Sequence, residues 1–158
     1  MRALVQRVDW AEVEVAGRVI GLIRQGLLVY AAAGPADGAA QVEWMAEKLV
    51  NLRIFEDAQG KLNLGLQEVG GELMLISNFT LLGDARKGRR PSFDSAAPAG
   101  QARPVHEALL AALAQKGVRV AGGEFGADMR IRSQAAGPVN LVIDSPPPST
   151  GPLAAADP

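Results

Sequence analysis

Apolar and polar residues alternate loosely over residues 2–8 and cleanly over 12–15, the spacing of half-buried strands. Ala16-Gly17-Arg18 suits a turn into a second apolar run at 19–23. Residues 26–33 are continuously apolar, as a central strand covered on both faces would be, and Gly34-Pro35 stops them. From Asp37 the period lengthens: Val42, Met45, Ala46, Leu49 and Val50 fall on one face of a helix, with Glu43 and Trp44 off that stripe. Residues 53–63 read as a short hairpin, and 72–79 form the most strand-like run in the chain. A second helix is predicted over 101–116, with His106, Leu109, Leu110 and Leu113 on its stripe and Gly117 as its cap. Strands return at 118–121, 128–133 and 139–144.

This order predicts a single α+β domain over residues 1–145, a mostly antiparallel curled sheet packed with two main helices. Residues 146–158 are a Pro/Ala-rich tail with no expected part in folding. The length of 158 residues and a 48% hydrophobic share are enough for one real core. No apolar run nears the roughly 20 residues of a membrane helix, and no leader peptide is readable, so the expectation is a soluble cytoplasmic protein with no membrane partner. The chain has no cysteine and a single histidine, His106. Cysteine-based metal sites, disulfides and thiol nucleophiles are thereby excluded, and no other metal-ligand spacing or cofactor motif is present. His106, on an apolar helix stripe, reads as packing.

Three segments remain as candidate chemistry. In Ser77-Asn78-Phe79-Thr80 an apolar strand ends in polar side chains at the mouth of a long loop, either to satisfy local backbone groups or to bind. That loop, residues 83–100, has no hydrophobic period and carries Arg86, Lys87, Arg89 and Arg90. Such a cluster is either solvated or gathered by an anion, and phosphate suits the planar fork of arginine. In a chain of formal net charge −1 it is the strongest pointer to nucleic acid. Gly137-Pro138 before an apolar run is a turn or a cis pair that presents two carbonyls from backbone alone.

Taken in order, these blocks resemble the D-aminoacyl-tRNA deacylases, also called D-tyrosyl-tRNA deacylases. The likeness runs from Met1-Arg2-Ala3-Leu4-Val5-Gln6-Arg7-Val8 through Asn51-Leu52-Arg53-Ile54-Phe55-Glu56-Asp57, Gly60-Lys61-Leu62-Asn63 and Gly70-Gly71-Glu72-Leu73. It continues through Ser77-Asn78-Phe79-Thr80-Leu81, Lys87-Gly88-Arg89-Arg90-Pro91-Ser92-Phe93 and Phe125-Gly126-Ala127-Asp128-Met129 to Gly137-Pro138-Val139. The resemblance implies a cofactor-free homodimer that hydrolyses the ester between a D-amino acid, or glycine, and tRNA. It implies that Ser77, Asn78, Phe79 and Thr80 line the catalytic pocket and that Met129 helps bind substrate. It also implies that a cis Gly137-Pro138 from the other subunit grips the substrate's amino group and rejects L side chains.

Two departures stand out. The family's glutamine is Asn78 here, one methylene shorter, and the polar residues around Gly-Pro are replaced by Ala135 and Asn140. With so few general bases, the resemblance favours water attack assisted by the ribose 2′-hydroxyl and an oxyanion held by backbone N–H groups near Phe79 and Thr80. Thr80 as nucleophile is the competing mechanism. A non-catalytic RNA-binding dimer is the competing function.

Overall fold

The computed structural model describes residues 1–147. The tail expected over 146–158 lies, from residue 148 onward, outside the described residues. The strands are β1 (Arg2–Val15), β2 (Arg18–Ile23), β3 (Gly26–Ala32), β4 (Phe55–Glu56), β5 (Leu62–Leu64), β6 (Glu72–Ser77), β7 (Val120–Gly122) and β8 (Met129–Asp144). Helix α1 spans Ala39–Val50 between β3 and β4, and α2 spans Ala99–Gln115 between β6 and β7. A 3-10 turn, Phe79–Leu82, follows β6 directly.

The main sheet runs β2-β1-β3-β6-β7, with β8 also paired to β1. Most of its pairing is antiparallel, as expected, but β3–β6 and β6–β7 are parallel, so the sheet is mixed. The reason lies in the connections: α1 separates β3 from β6 and α2 separates β6 from β7, and helical crossovers of this kind return the chain in the same direction.

β1 is one fourteen-residue strand, not two. Alternation fails in its middle because consecutive Arg7 and Val8 are buried and consecutive Asp9 and Trp10 exposed, where the pairing with β8 shifts register. β8 likewise runs unbroken through residues 134–138, where two separate strands were expected. A proline normally interrupts a strand because it cannot donate to a ladder; here β8 carries Pro138 next to such a register shift.

Both helices pack on one face of the sheet. Val42, Met45, Ala46, Leu49 and Val50 of α1 join Leu109 and Leu113 of α2 over Val5, Leu27, Val29, Leu73 and Leu75. Full burial of each such leucine is worth about 1.5–3 kcal/mol. Lys116, at the end of α2, bridges Glu43 and Glu47 of α1 at 2.6 and 2.8 Å. On the other face, Val8, Ala11, Val13, Ile23, Leu28, Met74 and Ile76 form a second core. The sheet curls to enclose it: a Cβ on Gly21 of β2 would stand 3.1 Å from Gly122 O of β7. Gly26–Ala32 is covered on both sides, as its unbroken apolar run requires.

Candidate active site

Parallel pairing brings the carboxyl ends of β3 and β6 to the same edge, with Ala31 opposite Ser77. A cavity of about 440 Å³ opens there. Its walls come from Ala31–Ala33, from Val105, His106 and Leu109 of α2, from Phe125–Ala127 and Met129, and from Met1. Ser77, Asn78 and Phe79 line it as well, whereas Thr80, expected in the pocket, is not among its lining residues. The lining is largely apolar, so binding there rests on shape and on a few backbone groups.

Asn78 organises the rim. Its N–H donates to Ala31 O at 2.9 Å, continuing the β3–β6 pairing by one residue. Its side-chain oxygen caps the 3-10 turn by accepting from Thr80 N–H at 3.2 Å and from the Thr80 hydroxyl. The Thr80 N–H is therefore occupied by a short amide side chain, whereas the Phe79 N–H has no acceptor among the described residues. Phe79 is 55% exposed and meets Phe93 edge-on, with ring centroids 5.1 Å apart. Through that packing the long loop rests against the rim.

His106 is buried, and its ring lies 5.8 Å from that of Phe125. Burial pushes its pKa below the usual histidine range, against a smaller opposing pull from Glu107, so it stands neutral. This agrees with packing, but the ring also forms part of the cavity wall, which a helix stripe alone does not reveal. Across the wall, the Arg103 guanidinium lies over the Phe125 ring at 4.8 Å.

The four cations of the loop are not equivalent. Arg86 is held by Asp84 through its backbone N–H and its guanidinium, the shortest separation being 2.6 Å. This hydrogen bonding lowers the Asp84 pKa and raises that of Arg86. Lys87, Arg89 and Arg90 are exposed and have no acidic partner among the described residues.

Gly137-Pro138 is a cis pair in the middle of β8, exposed, and does not line the cavity of its own chain. Its neighbour is fixed by a residue whose part the sequence does not announce. Arg7, 8% exposed, donates to Ala136 O at 3.1 Å and Ile54 O at 2.8 Å, and pairs with Glu56 at 3.4 Å. A Cβ on Gly137, whose φ is +116°, would lie 2.8 Å from the Arg7 Nη2. An arginine at a strand position that should alternate is the only signal in the sequence that could have marked it. Among the described residues no group of three His, Asp or Glu side chains is placed to hold a metal ion.

An α+β domain with an apolar cavity at its parallel strand ends, edged by a capped 3-10 turn, is a small-ligand site flanked by a cationic loop. The chain belongs to the D-Tyr-tRNA(Tyr) deacylase family, whose model matches residues 4–144. It is 51% identical over 145 residues to the D-aminoacyl-tRNA deacylase of Anaeromyxobacter dehalogenans, covering 92% of this chain and 97% of that protein. The corresponding protein of Thermosipho africanus is 46% identical over the same number of residues, again covering 92% of this chain and 97% of that one. Among solved structures, c-Myc DNA unwinding element binding protein aligns with a TM-score of 0.86 and 36% identity over 92% of this chain and 99% of that one. A probable eukaryotic D-amino acid tRNA deacylase shares the fold, with a TM-score of 0.77 at 17% identity, over 90% of this chain and 97% of that one. No helix among the described residues is long and apolar enough to cross a membrane.

Proposed function

We propose that the protein hydrolyses the ester joining a D-amino acid, or glycine, to the terminal ribose of tRNA, and so removes mischarged tRNA from translation. The observation that carries this reading is the cavity edged by Ser77, Asn78 and Phe79, in a chain half identical to a D-aminoacyl-tRNA deacylase over nearly its full length.

An aminoacyl ester is already activated, and the adjacent 2′-hydroxyl assists the attacking water. The protein's task is then to hold the ester and stabilise the tetrahedral oxyanion. The free Phe79 N–H is the donor best placed for this, while Thr80, with its N–H and hydroxyl both on Asn78, serves to shape the turn. The nearest imidazole, His106, is buried and stands neutral, and it has no hydrogen-bond link to Thr80. That weighs against a Thr80 nucleophile.

The working form is a homodimer in which Gly137 and Pro138 of one subunit enter the cavity of the other and accept the substrate's ammonium on their carbonyl oxygens. Three features support it: the pair is exposed, it is absent from its own chain's cavity, and β8 is a sixteen-residue edge strand with Val142 65% exposed. Backbone crowding at the α-carbon leaves room for hydrogen where an L residue carries its side chain, so D side chains of many kinds are accepted. Lys87, Arg89 and Arg90 contact the tRNA backbone.

Incubation with D-tyrosyl-tRNA tests the reading: free D-tyrosine and intact tRNA are expected. Tight binding without release would instead make the protein a non-catalytic RNA-binding dimer.

A further inference from the structure

His106 is the one polar side chain on the wall that α2 gives the cavity, where its neighbours are Ala99, Ala102, Val105 and Leu109. It is only 7% exposed, yet neither ring nitrogen has a hydrogen-bond partner among the described residues, and neither is wholly cut off from accessible space. What the ring still exposes therefore faces the cavity it lines. A buried imidazole without a partner has lost its hydration without compensation, and native folds leave few such groups.

The wall around it suits a flat ring. Phe125 stands 5.8 Å from His106, with the two rings tilted by 52°. Arg103 holds Phe125 in place, its guanidinium 4.8 Å from the ring centroid and donating to Phe125 O at 3.3 Å. Ala97, Ala99 and Ala102 take up little of the cavity beside them. A neutral imidazole presents one donor and one acceptor. Adenine carries an acceptor nitrogen beside an exocyclic N–H donor on one edge, and so answers either.

The variable part of the substrate points the same way. A fixed, buried polar group facing the amino-acid side chain would reject every apolar D residue, because its own hydrogen bond would go unmade. Facing the terminal adenosine, it meets a group that every aminoacyl-tRNA shares.

We propose that His106 is a substrate-binding residue of the cavity, hydrogen-bonded through its ring to the base edge of the terminal adenosine of tRNA. The proposal rests on the reading of this cavity as the deacylation site.

His106 is the only histidine of the chain, so 15N labelling of the imidazole gives a single set of ring signals. The probe is 3′-amino-3′-deoxyadenosine carrying D-tyrosine as an amide, which is not hydrolysed as the ester is. Its binding should shift the ring signals. The same amide built on purine riboside, which lacks the exocyclic amino group, should bind about tenfold more weakly. In His106→Phe the two probes should bind equally, and KM for D-tyrosyl-tRNA should rise about tenfold with kcat little changed. His106→Gln, which restores a donor and an acceptor, should recover part of that loss.

If His106→Phe does not fold, the two probes on the wild-type protein decide. Probe binding that leaves the ring signals in place, equal wild-type affinity for the two probes, or an unchanged KM in His106→Phe overturns the proposal while the function stands. Wild-type protein that leaves D-tyrosyl-tRNA intact, yet shifts its ring signals and prefers the adenosine probe, overturns the function and supports the contact.

Discussion

Asn78 decides what Thr80 is free to do. Its side-chain oxygen takes both polar hydrogens of Thr80, and among the described residues no base is bonded to that hydroxyl. Thr80→Val keeps the backbone N–H and removes the hydroxyl, so kcat is expected to fall no more than about tenfold; a nucleophile's loss would cost several orders of magnitude. Steady-state hydrolysis of D-tyrosyl-tRNA separates the two. At Gly137 the reverse holds, because in the proposed function the backbone is the working part. Gly137→Ala forces a Cβ onto φ +116° and to 2.8 Å from Arg7. A stability loss of about 1–3 kcal/mol in urea unfolding is expected, together with abolished hydrolysis. Of the residues the resemblance implied for the pocket, the structure brings Ser77, Asn78, Phe79 and Met129 to one cavity, while Thr80 lies outside its lining. Arg7 was not marked by the sequence, because its contacts lie on chain segments 47 and 129 residues away that no local pattern connects.

Among the elements, the amphipathic helices were the most readable, since a stripe of leucines fixes both their type and their buried face. The parallel half of the sheet was not, because strand direction is set by how long crossovers pack and not by composition. The loop after the 3-10 turn was visible as a charge cluster, yet only the structure separates Arg86, tied to Asp84, from its neighbours. Joint replacement of Lys87, Arg89 and Arg90 by alanine should therefore weaken tRNA binding. The slope of log affinity against log salt should shrink by about 0.7–0.9 for each phosphate no longer neutralised. Arg86→Ala should do much less, as binding titrations over a range of salt can show. On α2, His106 makes folding pH-dependent. Its pKa is lowered in the folded chain, so the unfolded chain binds more protons in the window just below the usual value. Its contribution is complete above that value and is lost as pH falls through the lower folded one. Urea unfolding at about pH 5 and about pH 8 should show the drop, and His106→Gln should reduce it.

For the whole molecule, curling is what makes the architecture serve the chemistry. One sheet supplies a core under two helices, a second core inside its own bend, and a cavity where its parallel strands end. The same curl leaves Gly137-Pro138 on an outer strand, outside the lining of its own cavity, so the proposed selectivity exists only when two copies meet. In the proposed function, an enzyme with no cysteine and one buried histidine selects its substrate by backbone shape and leaves part of the chemistry to RNA. The most direct test is the ratio of kcat/KM for D-tyrosyl-tRNA to that for L-tyrosyl-tRNA with one preparation of the protein. Steric exclusion predicts a ratio of at least about a thousand, equivalent to roughly 4 kcal/mol between the two transition states. A ratio near one would contradict the account.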